Sequence, residues 1–200
     1  MSYNAKERYG YEQYVVIKED EKMAYGQELP ILVTNKGYMI NADGENVEYI
    51  EGYEGKVMKS VPSDGKLTFD DIQPGMLVRI QYTRDGKAAS REILYDTENA
   101  EEYYTTTAPF NNIYGVEVGF VNDIIGDVIK IGYGSGASVN HVSNLYNSPA
   151  ILIYDTNNDK LNAYPGSFGD ARRYYNVGDD CSTVVLITKH CTPLLYVFYN

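Results

Sequence analysis

Tryptophan is absent from this chain of 200 residues, cysteine and histidine occur twice each, and 17 lysines and arginines stand against 28 aspartates and glutamates. Each shortage excludes something. Cys181, Cys191, His141 and His190 are the whole supply of soft metal ligands, and their spacing fits no usual zinc pattern. In a hairpin turning near Lys189–Pro193, Cys181 lies far down one arm and Cys191 at the tip, so two thiols are expected rather than a disulfide. A net charge of −11 and a pI near 4.6 argue against nucleic acid and against adsorption to anionic lipid, both of which need a basic surface. No apolar run approaches a membrane span, so insertion is not expected. Residues 1–8 are polar and carry no apolar signal core. A chain starting there is expected to stay in the cytoplasm or to travel in a particle such as a virion; an excised segment would leave a cell-surface or extracellular location open.

What is abundant is tyrosine, 21 residues, with 18 glycines. Tyrosine suits a half-buried strand and equally an adhesive surface, because its ring packs on apolar neighbours while its hydroxyl stays wet. Hydrophobic residues make up 44% and charged residues 22%, an ordinary globular balance that supports a core. The charge is uneven: residues 1–104 carry net −8 and residues 105–200 net −3, so the second half is the one expected to meet a partner.

Helical periodicity is nearly missing, and short β-branched and aromatic runs alternate with turn dipeptides. Strands are predicted over Tyr11–Lys18, Leu29–Thr34, Gly37–Asn41, Val47–Ile50, Gly55–Val61, Met76–Arg84 and Ala88–Tyr95, then over Tyr114–Val121, Asp127–Tyr133, Ala150–Tyr154, Lys160–Ala163, Ser182–Lys189 and Pro193–Tyr199. Asp43-Gly44, Asp64-Gly65 and Asp85-Gly86 mark turns of the type with two positive φ angles. Asp70–Gly75 reads as one helical turn capped by Asp70 or Asp71, plugging the core with Ile72. The chain also repeats itself. Tyr9-Gly10-Tyr11-Glu12 returns as Tyr114-Gly115-Val116-Glu117, Phe69 and Asp71 as Phe168 and Asp170, and Leu94-Tyr95-Asp96 as Phe198-Tyr199-Asn200. The expected fold is therefore all-β, an approximate internal duplication of two tandem small barrels or sandwiches of SH3-like or OB-like type. The first domain spans 1–96 with an N-terminal arm, the linker 97–109, and the second domain 110–200.

Reactive constellations are hard to assemble. Gly132–Ser138 is glycine-rich, but no helix pattern and no Lys-Ser/Thr pair follows it, so a phosphate cradle is incomplete. His190 and Cys191 are neighbours in an extended segment and point to opposite faces. No Gly-x-Ser-x-Gly elbow occurs. Asp155, Asn157 and Asp159 space oxygen ligands as a calcium loop begins, yet Lys160 stands where glycine is required and Gly166 where the bidentate glutamate belongs; a hairpin turn explains the same residues. Paired carboxylates such as Asp70/Asp71, Asp179/Asp180 and Glu101/Glu102 read as caps and solvated positions. No cofactor and no enzymatic activity are expected.

Gly55-Lys56-Val57, Leu67–Ile80 and Asp85-Gly86-Lys87 together resemble the small repeated β-barrel modules of surface-layer-homology proteins of Firmicutes. That resemblance implies a structural or spacer role in an exterior assembly and carries no catalytic residues; neither the signal peptide nor the anchor of that family is expected from these 200 residues. The expected function is a non-enzymatic subunit of a large assembly, foremost a bacteriophage virion head, tail or decoration protein. A cell-surface assembly module and a carbohydrate-binding module are the alternatives. Its partners would be other protein subunits, itself included. Contacts are expected at Tyr3, Tyr9, Tyr11 and Tyr14 of the N-terminal arm, at Tyr103 and Tyr104 of the linker, and at Tyr174 and Tyr175.

Overall fold

The computed structural model describes residues 2–6, 12–16, 25–26, 29–100, 108–110, 114–132, 139–144, 148–155, 163–173, 181–189 and 192–200. The described elements are strands apart from one 3-10 turn, and the chain is nearly all β. A two-stranded sheet pairs β1 (Ser2–Lys6) with β2 (Glu12–Val16). A first large sheet takes β3 (Tyr25–Gly26), β4 (Ile31–Ile40), β5 (Asn46–Glu54), β6 (Val57–Pro62), β7 (Leu77–Tyr82) and β8 (Ala88–Tyr95). A second takes β9 (Ala108–Phe110), β10 (Tyr114–Ile125), β11 (Val128–Gly132), β12 (Val139–Asn144), β13 (Ala150–Tyr154), β14 (Ala163–Pro165), β15 (Thr183–Lys189) and β16 (Thr192–Tyr199).

The two large sheets share one strand order. In the first it is β8-β7-β4-β5-β6, in the second β16-β15-β10-β11-β12, every neighbour antiparallel. β3 and β4 lie end to end along β7, as the single strand β10 lies along β15. The position that Tyr114-Gly115 holds beside β15 is thus held in the first half by Tyr25-Gly26, with Glu28 matching Glu117 in sequence. Tyr9-Gly10-Tyr11 lies outside the described residues, and Glu12–Val16 pairs with β1 instead. In the second sheet β13 runs parallel to β16 over Ala150–Tyr154. In the first, the same parallel approach shrinks to the single bridge of Ser63 with Ala88, supported by Asp64 N–H donating to Ala88 O at 3.0 Å. Among the described residues neither sheet closes.

Three apolar layers hold these sheets. Ile31, Val33, Ile50, Val78 and Ile80 face a core of the first half, sealed by Phe69 and Ile72. Val184, Leu186, Tyr196, Phe198, Ile151 and Ile153 face a core of the second, sealed by Phe168 and Ala171. Between them, Leu32, Leu77, Leu94 and Tyr95 of the first sheet join Val116, Val118, Leu152, Val185, Leu195 and Val197 of the second in one cluster. Tyr95 and Tyr199, which end equivalent strands, meet there with ring centroids 4.6 Å apart, and Tyr154 adds a second contact to Tyr199 at 5.6 Å. Strands with both faces covered need apolar residues at consecutive positions, which is why Val184–Ile187 does not alternate.

Several local expectations change. The strands expected over Leu29–Thr34 and Gly37–Asn41 are one, β4, which runs through Asn35 and Lys36 with a bulge between Val33 and Asn35. β6 starts at Val57, because Gly55 and Lys56 form the tight turn after β5. In the Asp-Gly loops only glycine takes positive φ, 83° at Gly44 and 81° at Gly86. Gly86 N–H returns to Thr83 O at 3.1 Å and Thr83 N–H to Lys87 O at 2.8 Å, a type I turn closed by a glycine bulge. Residues 69–75 form turns rather than a helix, Ile72 N–H donating to Phe69 O at 3.0 Å. The 3-10 turn belongs to the second plug, Phe168–Asp170, where the Asp170 carboxylate accepts from Ser167 N–H and Oγ–H, both at 2.8 Å. Cys181 is not in a disulfide, and Cys191 lies outside the described residues.

At Gly75 the first half comes close to Tyr154 of the second. The φ of Gly75 is 93°, and a Cβ there would lie 2.9 Å from Tyr154 Cζ. Gly75→Ala is therefore expected to destabilise the chain by about 2 kcal/mol or more, from left-handed strain and overpacking together. Urea unfolding of both proteins checks this; an unchanged midpoint would contradict the close approach.

Candidate functional site

The hairpin of β4 and β5 outruns the core. Ile31, Leu32 and Val33 are buried, but after the bulge the strand emerges, leaving Tyr38 66% and Ile40 68% exposed, with Met39 beside them. The loop that ends it is tied by Asn41, whose Oδ1 accepts from Asp43 N–H at 2.9 Å and Glu45 N–H at 2.8 Å. At the other end of β5, β6 is an edge strand with Val57 60% exposed and Met58 43% exposed. Lys56, Lys59 and Pro62 are residues that blunt such an edge, although Lys59 is engaged by Glu54. Two apolar patches thus stand on one three-stranded unit, one at the hairpin tip and one on the edge.

Beside the hairpin lies a cleft of about 160 Å³ lined by Lys36, Gly37, Tyr38, Glu48, Tyr49, Phe69 and Asp70. Strand pairing sets Tyr38 opposite Glu48 and Gly37 opposite Tyr49. The Glu48 carboxylate is held from two sides, accepting from Tyr38 Oη–H at 3.3 Å and from the Phe69 N–H of the plug. Lys36 Nζ donates to the carbonyls of Phe69 at 3.4 Å and Asp70 at 3.1 Å. The nearby carboxylates of Glu48 and Asp70 push the Tyr38 hydroxyl above its ordinary pKa, Glu48 most.

Inside the second half, Glu117 is a carboxylate in a largely apolar strand, 7% exposed between Val116 and Val118. Burial raises it from 4.5 to about 7. Such a pKa suits proton transfer, but Glu117 sits opposite Leu186 in the ladder, and no group of three or more metal-ligating side chains occurs among the described residues. Burial also pushes Tyr199 well above its ordinary value, with Tyr95 and Tyr154 adding to the effect.

Of the residues expected to make contacts, the register of the arm pairs Tyr3 with Val15 and Asn4 with Tyr14. Tyr9, Tyr11, Tyr103, Tyr104, Tyr174 and Tyr175 lie outside the described residues. Asp155 follows β13, while Asn157 and Asp159 lie outside the described residues. Sequence reasoning passed over Tyr38, Met39, Ile40, Val57 and Met58. The available signal was Tyr38-Met39-Ile40, three consecutive apolar residues running straight into a turn. Compared with models of protein families, with curated proteins and with solved structures, the chain matches none.

Glu117 makes stability depend on pH with a definite sign. Below about pH 4.5 the acid is neutral whether folded or unfolded; above it the unfolded chain ionises first, so stability falls until the folded acid ionises near 7. Glu117→Gln is expected to remove that component and to gain roughly 1–3 kcal/mol over wild type at pH 8 relative to pH 4. Urea titrations at both pH values measure the difference, and equal differences at the two would contradict the assignment.

Proposed function

We propose that this chain is a non-enzymatic structural subunit of a large assembly, and that the assembly is a bacteriophage virion, with the chain a head, tail or decoration component. The observation that carries the reading is the strand β6, which among the described residues pairs on one side only, with β5, and presents Val57 and Met58 to solvent. An edge of that kind is satisfied by a neighbouring subunit. The hairpin tip at Met39 and Ile40 offers a second apolar contact at the far end of the same unit, as a repeating lattice requires. The two-stranded β1–β2 sheet adds to the case, since a lone hairpin is marginal in water and gains by docking on a neighbour. A net charge of −11 keeps the free subunit soluble.

In this reading each half is a small open barrel module, the pair arranged in tandem about residues 97–109. The shared strand order supports duplication of one module, and the β13–β14 addition gives the second half a wider sheet.

Sedimentation across a concentration series tests the proposal. Wild-type chain is expected to self-associate or to bind assembled particles, and Met58→Glu or Val57→Lys to weaken that association at least about tenfold without shifting the melting temperature. Wild type that stays monomeric and binds no particle, or variants that associate as wild type does, would overturn it.

A further inference from the structure

We infer that the cleft beside the β4–β5 hairpin is a binding site for a single neutral sugar ring. Its volume, about 160 Å³, is well below the roughly 300–1,000 Å³ of pockets that enclose drug-sized ligands, so it admits one ring and leaves a longer glycan to solvent. The wall and floor divide as saccharide recognition requires. Tyr38 supplies an aromatic surface, 66% exposed, on which the apolar C–H face of a pyranose rests. One ring orientation is favoured, because its hydroxyl donates to Glu48 at 3.3 Å and Glu48 is in turn tied to the plug. A ring held in place before binding loses little entropy on binding.

The polar groups then sort by what remains available. Lys36 uses donors on the carbonyls of Phe69 and Asp70, and Glu48 is engaged on both oxygens. Among the described residues no hydrogen bond engages the Asp70 carboxylate or the Tyr49 hydroxyl, and both residues line the same cleft as the tyrosine, so an acceptor and a donor-acceptor remain available there. That set matches vicinal hydroxyls. Two carboxylates against one ammonium leave the cleft net negative, which disfavours uronic and sialic acids. Tyr49 lies against Gly37, where a Cβ would meet its Cε1 at 3.1 Å, so the wall is set by backbone packing rather than by a mobile loop.

Saturation-transfer NMR on the full chain with glucose, galactose, mannose and N-acetylglucosamine, and with glucuronic acid as the anionic comparison, tests the site. At least one neutral sugar is expected to bind with a millimolar dissociation constant, glucuronic acid at least about tenfold more weakly. Tyr38→Ala is expected to weaken binding about tenfold or more and Asp70→Asn severalfold, both at exposed positions where folding is kept. Tyr164→Ala, an exposed tyrosine on β14, serves as the control and is expected to bind as wild type. No binding of any neutral sugar, equal binding of glucuronic acid, or binding that survives Tyr38→Ala would overturn the inference. Val57 and Met58 do not line the cleft, but Met39 and Ile40 adjoin Tyr38, so sugar binding is measured at a concentration where sedimentation shows each protein monomeric, which separates failure of the cleft from failure of self-association.

Discussion

The rest of the molecule depends on one buried layer, the apolar cluster that both large sheets contribute to. A strand in either sheet serves two cores at once. Ile31 and Val33 turn into the core of the first half while Leu32 enters the shared layer; Val184 and Leu186 turn into the core of the second while Val185 and Ile187 enter it. Neither sheet has a wet face at those positions, so removing one sheet would leave a broad apolar face on the other. The tyrosines at the ends of β8 and β16 place large rings where equivalent strands converge, each tilted contact worth roughly 0.5–1.5 kcal/mol beyond the area it buries.

That layer also decides what faces solvent. With the inner faces committed to each other, the outer cores are sealed by short plugs, Phe69–Ile72 and Phe168–Ala171, which the same chain uses twice. The first plug doubles as one wall of the polar cleft, since Phe69 N–H fixes Glu48 and the carbonyls of Phe69 and Asp70 hold Lys36. The second is fastened from the C-terminus, where Asn200 Nδ2–H donates to Asp170 O at 3.0 Å and Asn200 N–H to Tyr154 O at 2.9 Å. Among the described residues the β4–β5 hairpin and the β6 edge carry five of the seven exposed large hydrophobic side chains, which is why the proposed assembly surface and the proposed sugar cleft both fall on that unit.

Period-2 patterning and turn chemistry made much of this legible in the residues themselves. β7, β8, β13, β15 and β16 fall within a residue or two of their predicted bounds, and Phe69 and Phe168 seal equivalent cores as the repeat suggests. What escaped has physical reasons. Asn35-Lys36-Gly37 has turn composition, but a bulge absorbs the irregularity and the ring of Tyr49 covers Gly37, so the strand continues. By composition the repeat opens at Tyr9-Gly10, whereas in the sheet Tyr25-Gly26 holds the position matching Tyr114-Gly115; the dipeptide recurs, and only strand pairing chooses between copies. Continuous apolar runs such as Val184–Ile187 state that both faces are covered, but not by what. The cleft was illegible for a related reason: Lys36, Glu48 and Asp70 are far apart in sequence and ordinary in type, and only the plug brings them together.

Equilibrium unfolding of the full chain in urea, followed residue by residue through the NMR signals of Ile80 in the first core and Val184 in the second, bears most directly on the shared layer. If the two sheets are held by one common core, both residues unfold with the same midpoint and slope. Two separated midpoints, with one half remaining folded while the other melts, would contradict it.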